Sequence, residues 1–253
     1  MSPWRLLLTR LADESAALAA ELATAGVHGV ALPVIDIQPL EETPVQRAQM
    51  LELDRYAAVI VISKPAARLG LERLDRYWPQ PPLQRWFAVG RATAAVLEAY
   101  GLDVDIPERE DSEGLLLHPA WQTVFAAPNP HVLILRGAGG REHLAQALQG
   151  RGAQVDYLEL YERRQPAYPP HRLAEILEAE RLNAVMVSSG QGLEHLRTLA
   201  GADWSRLCRL TALVPSTRVA EMATASGFAH VIVCAGAGND ALMAALEQHE
   251  PNS

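Results

Sequence analysis

A repeat at about half the chain length constrains this sequence more than any other feature. "LLLTR", ending at Arg10, has a counterpart in "LILR", ending at Arg136, an offset of 126. The residues that follow keep step: Leu18 with Leu144, Leu22 with Leu148, Gly26 with Gly152. "VIVIS", ending at Ser63, matches "VMVSS", ending at Ser189, again at 126. "FAVGRATAAVLEAYG" (87–101) is echoed by "TALVPSTRVAEMATASG" (211–227), which sets Thr93 against Thr217 at an offset of 124. An Arg unit, a Ser unit and a Thr unit thus recur in the same order. The period is too long for a solenoid and implies two similar domains within 253 residues.

Short aliphatic runs at 5–9, 57–62, 87–89, 132–135, 184–187, 210–214 and 230–234 mostly lack polar alternation. That is the pattern of strands buried on both faces of a parallel sheet. Ala/Leu/Glu-rich stretches at 14–25, 92–100, 142–149, 173–180 and 217–226 predict helices, with Gly26, Gly101, Gly152 and Gly227 where C-caps belong. The alternation argues an α/β fold. "LPVIDIQPLE" (32–41) and "LELYERRQP" (158–166) break the rhythm. Both read as extended connectors able to pair with each other. The expectation is one discontinuous domain of 1–33 plus 167–253 and a second of 43–157. A two-stranded β-ladder of 34–42 and 158–166 joins them, with the active site in the inter-domain cleft.

The net charge is −8, and no Lys/Arg run exceeds a dipeptide, which argues against a nucleic-acid partner. Two cysteines, Cys208 and Cys234, make no disulfide framework and read as buried thiols in a reducing cytoplasm. The opening residues hold no secretory apolar run, and no stretch is long enough to span a membrane. The expected location is the cytoplasm and the expected state a monomer. The eight His show no metal-ligand spacing, so no metal is expected.

In open α/β sheets, ligands bind beyond the C-terminal strand ends, near helix N-termini. Those ends carry Arg10, Ser63, Lys64, Gly90 to Thr93 (with Arg91), Arg136 to Gly140, Ser188 to Gly190 (with Ser189), and Pro215 to Thr217. Such turns present backbone N–H groups and the positive end of the helix dipole, which suits carboxylate or phosphate. The plainer reading makes the hydroxyl residues N-caps, worth about 1 kcal/mol each. "LRGAGGRE" (135–142) fits no nucleotide-binding glycine spacing. Tyr161, within the connector, is either a packed aromatic or a group facing the cleft. Arg163 and Arg164 beside it read as lining a solvated ribbon.

"LLLTR", the "VIS" strand end at Ser63, "AVGRATAAVLEAYG", "LRGAGGRE", "LELYERR" and "STRVAEMATASG", taken in order, resemble the uroporphyrinogen-III synthase family. The resemblance spans nearly the whole chain. It implies two α/β domains on a two-stranded ladder, and a cofactor-independent lyase. Such an enzyme closes the linear tetrapyrrole hydroxymethylbilane to uroporphyrinogen III, inverting ring D and losing water. The substrate carries eight carboxylates. The resemblance makes Tyr161 the candidate general acid. It makes Arg10, Ser63, Lys64, Arg91, Thr93, Arg136, Ser189, Gly190 and Thr217 candidate substrate contacts, with a structural role open for the two strand-end arginines. Lys64 and Pro65 after Ser63, and Val214 where the family commonly has Gly, depart from its pattern.

Two other readings compete. A non-catalytic two-domain binder or sensor of an anionic small molecule would share hinge and cleft. A two-domain glycosyltransferase would need a longer chain and a nucleotide signature.

Overall fold

The computed structural model describes residues 3–80, 83–140 and 142–251. Arg141, inside the glycine-rich turn singled out above, lies outside the described residues. The chain divides into two compact units, Met1–Asp36 with Arg164–Ser253, and Ile37–Arg163.

In chain order the strands are β1 (Arg5–Leu8), β2 (His28–Ala31), β3 (Asp36–Pro39), β4 (Ala58–Val61), β5 (Arg85–Ala88), β6 (Val104–Asp105), β7 (His131–Gly137), β8 (Gln154–Arg164), β9 (Ala184–Met186), β10 (Thr211–Val214) and β11 (His230–Val233). The helices are α1 (Ala12–Thr24), α2 (Pro44–Leu51), α3 (Lys64–Tyr77), α4 (Arg91–Ala99), α5 (Ser112–Leu117), α6 (Trp121–Val124), α7 (His143–Gly150), α8 (Arg172–Ala179), α9 (Gly190–Ala200), α10 (Trp204–Leu207), α11 (Thr217–Ala225) and α12 (Asn239–Gln248).

The first unit holds a sheet ordered β2-β1-β9-β10-β11, and its strand pairs are parallel. The second holds the order β8-β7-β4-β5-β6, again parallel, with β3 beside β8 at the edge. The two parallel sheets repeat one another in register. Leu6 faces Ala184 as Val132 faces Ala58; Arg5 faces His28 as His131 faces Gln154; Thr211 faces Ala184 as Arg85 faces Ala58. Each of these residues stands 126 positions from its counterpart.

The central aliphatic runs form strands covered on both faces, whereas the run at 230–234 forms the half-exposed edge strand β11. In β4, Val59 and Val61 join one apolar cluster while Ala58 and Ile60 join the cluster on the opposite face. In β1, Leu7 points one way and Leu6 and Leu8 the other. This is the period-2 signature of a central strand, and each fully buried aliphatic side chain contributes about 1.5–3 kcal/mol. Helices α1 and α7 close with Gly26 at φ +73 and Gly152 at φ +93, conformations that a Cβ would strain.

Strands β2 and β6 lie outside the aliphatic runs read from sequence. One is only partly buried and the other has two residues, so neither carries an apolar run. Residues 158–164 of the expected connector are the latter part of a longer strand, which ends at Arg164. β8 begins at Gln154 and pairs with β7 from its first residue.

Candidate functional site

Strand β8 turns from an ordinary edge-ward strand into the floor of a site through one irregularity. Arg136 pairs with Glu159, yet the next β7 residue, Gly137, pairs with Tyr161. Leu160 is the extra residue of this bulge. A bulge re-aims side chains, and here Leu160 and Tyr161, though adjacent, both enter the same apolar cluster. Strict alternation would have sent Tyr161 to the other face. Gly137 makes room for it: a Cβ there would lie 2.6 Å from Tyr161 Cε2. The Ala138 N–H donates to Tyr161 O at 2.6 Å and fixes the turn.

Tyr161 is 1% exposed, and its hydroxyl has two polar neighbours. Ser63 Oγ lies 2.9 Å away, and Arg163 Nη2 donates at 3.5 Å. Ser63 is the N-cap of α3 and accepts the Ala66 N–H at 3.2 Å. The phenol is therefore held between a helix cap and a guanidinium. A pocket of about 220 Å³ opens beside it at the C-terminal strand ends, with Ile62, Val89, Ile134 and Leu144 in its wall and Arg163 at its edge.

The strand-end arginines are both engaged inside their own units. Arg136, 3% exposed, pairs with Glu142 (3.0 Å) and Glu159 (3.7 Å). Its guanidinium also stacks 4.4 Å over the Tyr157 ring. The Tyr157 hydroxyl donates to the same Glu142 carboxylate. Burial first, and that bond second, push the Tyr157 phenol up to about 12, while the bond holds Glu142 below the usual carboxylate value. Arg10 donates to Asn239 Oδ1 at 2.7 Å and to the Ala237 carbonyl, tying down the loop before α12. Burial lowers its guanidinium below the ordinary value, against the pull of Glu14.

The hydroxyl residues fall into two kinds. Ser63 and Ser189 are true N-caps at matched positions, Ser189 accepting the Gly192 N–H at 3.0 Å. Gly190 follows as the buried first residue of α9. Thr93 and Thr217 are neither caps nor equivalents. The caps are Gly90 and Ser216, and the offset of 126 in strand register makes Arg91 the counterpart of Thr217 and Thr93 that of Val219 in the two repeats. The offset of 124 matched residue chemistry rather than register and missed by two. Thr93 is accordingly buried at the third position of α4, while Thr217 is exposed at the first position of α11.

The helix N-termini also differ in what they can offer. At α3, Lys64 comes first and Pro65, lacking an N–H, comes second. At α4, the first N–H, that of Arg91, already donates to Glu110 Oε2 at 2.8 Å. The Arg91 guanidinium meets Glu98 at 3.4 Å. At α11, the Ser216 side chain takes no capping bond.

Several residues of this site have roles that the sequence did not mark, including Gly137 and Glu142 within the glycine-rich stretch 135–142. Tyr157, Glu142, Glu110 and Gly137 acquire their roles from partners distant in sequence. Arg163 could have been suspected from its spacing, two residues beyond Tyr161 on one strand.

Known proteins match this chain over nearly its whole length. The family described as HEM4, uroporphyrinogen-III synthase HemD, matches residues 16–244. The uroporphyrinogen-III synthases of Salmonella typhimurium and Escherichia coli K12 are each 34% identical over 251 residues, covering 96% of this chain and 99% of theirs. Among solved structures, uroporphyrinogen-III synthetase from Helicobacter pylori superposes with a TM-score of 0.59 at 15% identity, over 97% of this chain and 100% of that one. A mutant synthase from the extremely thermophilic bacterium Thermus thermophilus gives 0.56 at 18%, with the same coverage. At such identities these structures speak for the fold, a mixed α/β fold with parallel sheets.

Proposed function

This chain belongs to the uroporphyrinogen-III synthase family, and from that premise we propose how its residues close hydroxymethylbilane to uroporphyrinogen III. The observation that carries the mechanism is the buried Tyr161 hydroxyl, bonded to Ser63 and Arg163 beside a pocket.

Ser63 Oγ accepts the Ala66 N–H, which favours turning its own proton toward the Tyr161 oxygen. The phenolic proton is then directed to the substrate. Tyr161 gives that proton to the terminal hydroxyl of the bilane. Water leaves, an azafulvene cation remains, and the phenolate is met by Arg163. The substituted carbon of ring D attacks the cation to form a spiro intermediate. That intermediate fragments and recloses with ring D inverted, and the last proton lost on rearomatisation returns to Tyr161. The bilane can close unaided to isomer I, so the protein's main contribution is to hold the conformer that leads to isomer III. General acid assistance adds to it.

The eight carboxylates need local positive potential, because the chain's net charge of −8 opposes them at long range. The starts of α9 and α11 offer backbone amides, and Thr217 an exposed hydroxyl. Arg10 and Arg136, engaged internally, position loops in this reading rather than meet substrate. The same reading takes 1–33 with 167–253 and 43–157 as two similar domains, connected through 34–42 and 158–166. It also takes the reaction to need no cofactor, and the enzyme to act as a cytoplasmic monomer.

The test is the isomer ratio. Hydroxymethylbilane is generated in situ with and without the protein, and the oxidised products are separated by chromatography. A shift from isomer I to mostly isomer III is expected. Unchanged isomer I from folded protein would overturn the reading and leave a binder of some other anion.

A further inference from the structure

The pocket beside Tyr161 has a size and lining that the proton chemistry alone does not require. Its volume is about 220 Å³. Sites for whole drug-sized ligands run from roughly 300 to 1,000 Å³, so this one is too small for a tetrapyrrole and suited to one ring. Its wall carries four aliphatic side chains beside Ser112 and the rings of Tyr157 and Tyr161: Ile62 and Val89 follow the ends of β4 and β5, Ile134 lies in β7 and Leu144 in α7. Such a surface favours a flat apolar ring. Its edge is cationic. Arg136 is neutralised there by Glu142 and Glu159, but Arg163 is exposed and its guanidinium bears on the Tyr161 hydroxyl and ring. A slot of aliphatic and aromatic side chains with a guanidinium at its rim fits a small aromatic heterocycle that carries a carboxylate on a short arm.

We infer that this pocket is a single-ring subsite. It holds one pyrrole of the substrate against Ile134 and Leu144, with that ring's carboxylate on Arg163, and so brings the neighbouring methylene or hydroxymethyl carbon to Tyr161. The inference rests on the family reading and specifies where one of its four rings is gripped.

The test uses pyrrole-3-propionate, with pyrrole and propionate as separate controls, titrated into the full-length protein and followed by amide chemical-shift changes. Saturable shifts around Ile62, Val89, Ile134 and Leu144 are expected for pyrrole-3-propionate, with both controls at least about tenfold weaker. Arg163→Met, an exposed change that spares the fold, should weaken binding by about tenfold. Leu144→Trp fills the slot and should abolish binding; Ala145→Met does the same if that variant does not fold. The subsite is overturned by absence of saturable shifts up to the solubility limit, by shifts elsewhere on the protein, or by equal binding to the filled variant. The two readings fail separately. If a folded Leu144→Trp variant still makes isomer III at the normal rate, the subsite falls and the family reaction stands. If pyrrole-3-propionate binds as described but no isomer III forms, the subsite stands and the reaction falls.

Discussion

Gly137 and Tyr161 face each other across the β7–β8 bulge so closely that a Cβ on Gly137 would lie 2.6 Å from the tyrosine ring. The missing side chain is what allows a buried aromatic to turn its hydroxyl toward Ser63. Gly137→Ala should therefore cost about 1–3 kcal/mol of stability through overpacking. It should also slow isomer III formation on the order of 100-fold by displacing the ring. Urea unfolding and the isomer assay check the two parts. An alanine variant with wild-type rate would mean that ring placement is not limiting.

Tyr161→Phe keeps the ring and removes the hydroxyl. Ser63 Oγ retains its bond from the Ala66 N–H, so the stability loss should be near 1 kcal/mol. Turnover should fall by roughly 10²- to 10⁴-fold, with isomer III still the enzymatic product. Complete loss of activity in a folded variant would show that proton transfer outweighs positional control.

Arg136→Ala and Thr217→Val should separate structural from substrate-facing roles. The first strips a buried guanidinium from two half-exposed carboxylates. It should destabilise the protein by about 2 kcal/mol, below the 3–5 of a fully buried pair because solvent still reaches the glutamates. The second is an exposed change and should stay within about 0.5 kcal/mol of wild type while raising KM. A Thr217→Val enzyme with unchanged KM would remove that hydroxyl from the substrate contacts.

The Tyr157–Glu142 bond makes a pH prediction with two edges. Glu142 is depressed in the fold, so its contribution is present above its ordinary value and lost as pH falls through the folded one. Tyr157 is raised to about 12, so its contribution is complete below the ordinary value near 10 and lost as pH climbs toward 12. The hydrogen bond is the first cause of the Glu142 shift, whereas burial leads and the bond follows in the Tyr157 shift. The Tm difference between wild type and Tyr157→Phe should be flat from about pH 5 to 9 and shrink beyond each side. A difference that is constant across the whole range would mean the bond does not form in solution.

The sequence by itself determined the layered character of this protein. Short aliphatic runs without polar alternation point to strands of a covered sheet, and the repeated Arg and Ser units sit at the same places in two parallel sheets. The offset of 126 survives because strand pairing is a register, and register is carried by apolar runs that composition displays. The ordered motifs, read together, also resembled the family to which the chain belongs.

What only the tertiary structure decided lies at the strand ends. The bulge at Leu160 adds one residue without any mark in composition, and with it Tyr161 moves to the face that alternation denies it. Thr93 and Thr217 look alike in sequence and differ in place, because residue chemistry was matched where hydrogen-bonded register governs. Arg10 and Arg136 look like free cations until Asn239, Glu142 and Glu159 are brought to them over separations of up to 229 residues. Local pattern encodes which face of an element is covered. Which polar group meets which is set by chain segments that only the finished sheet brings together.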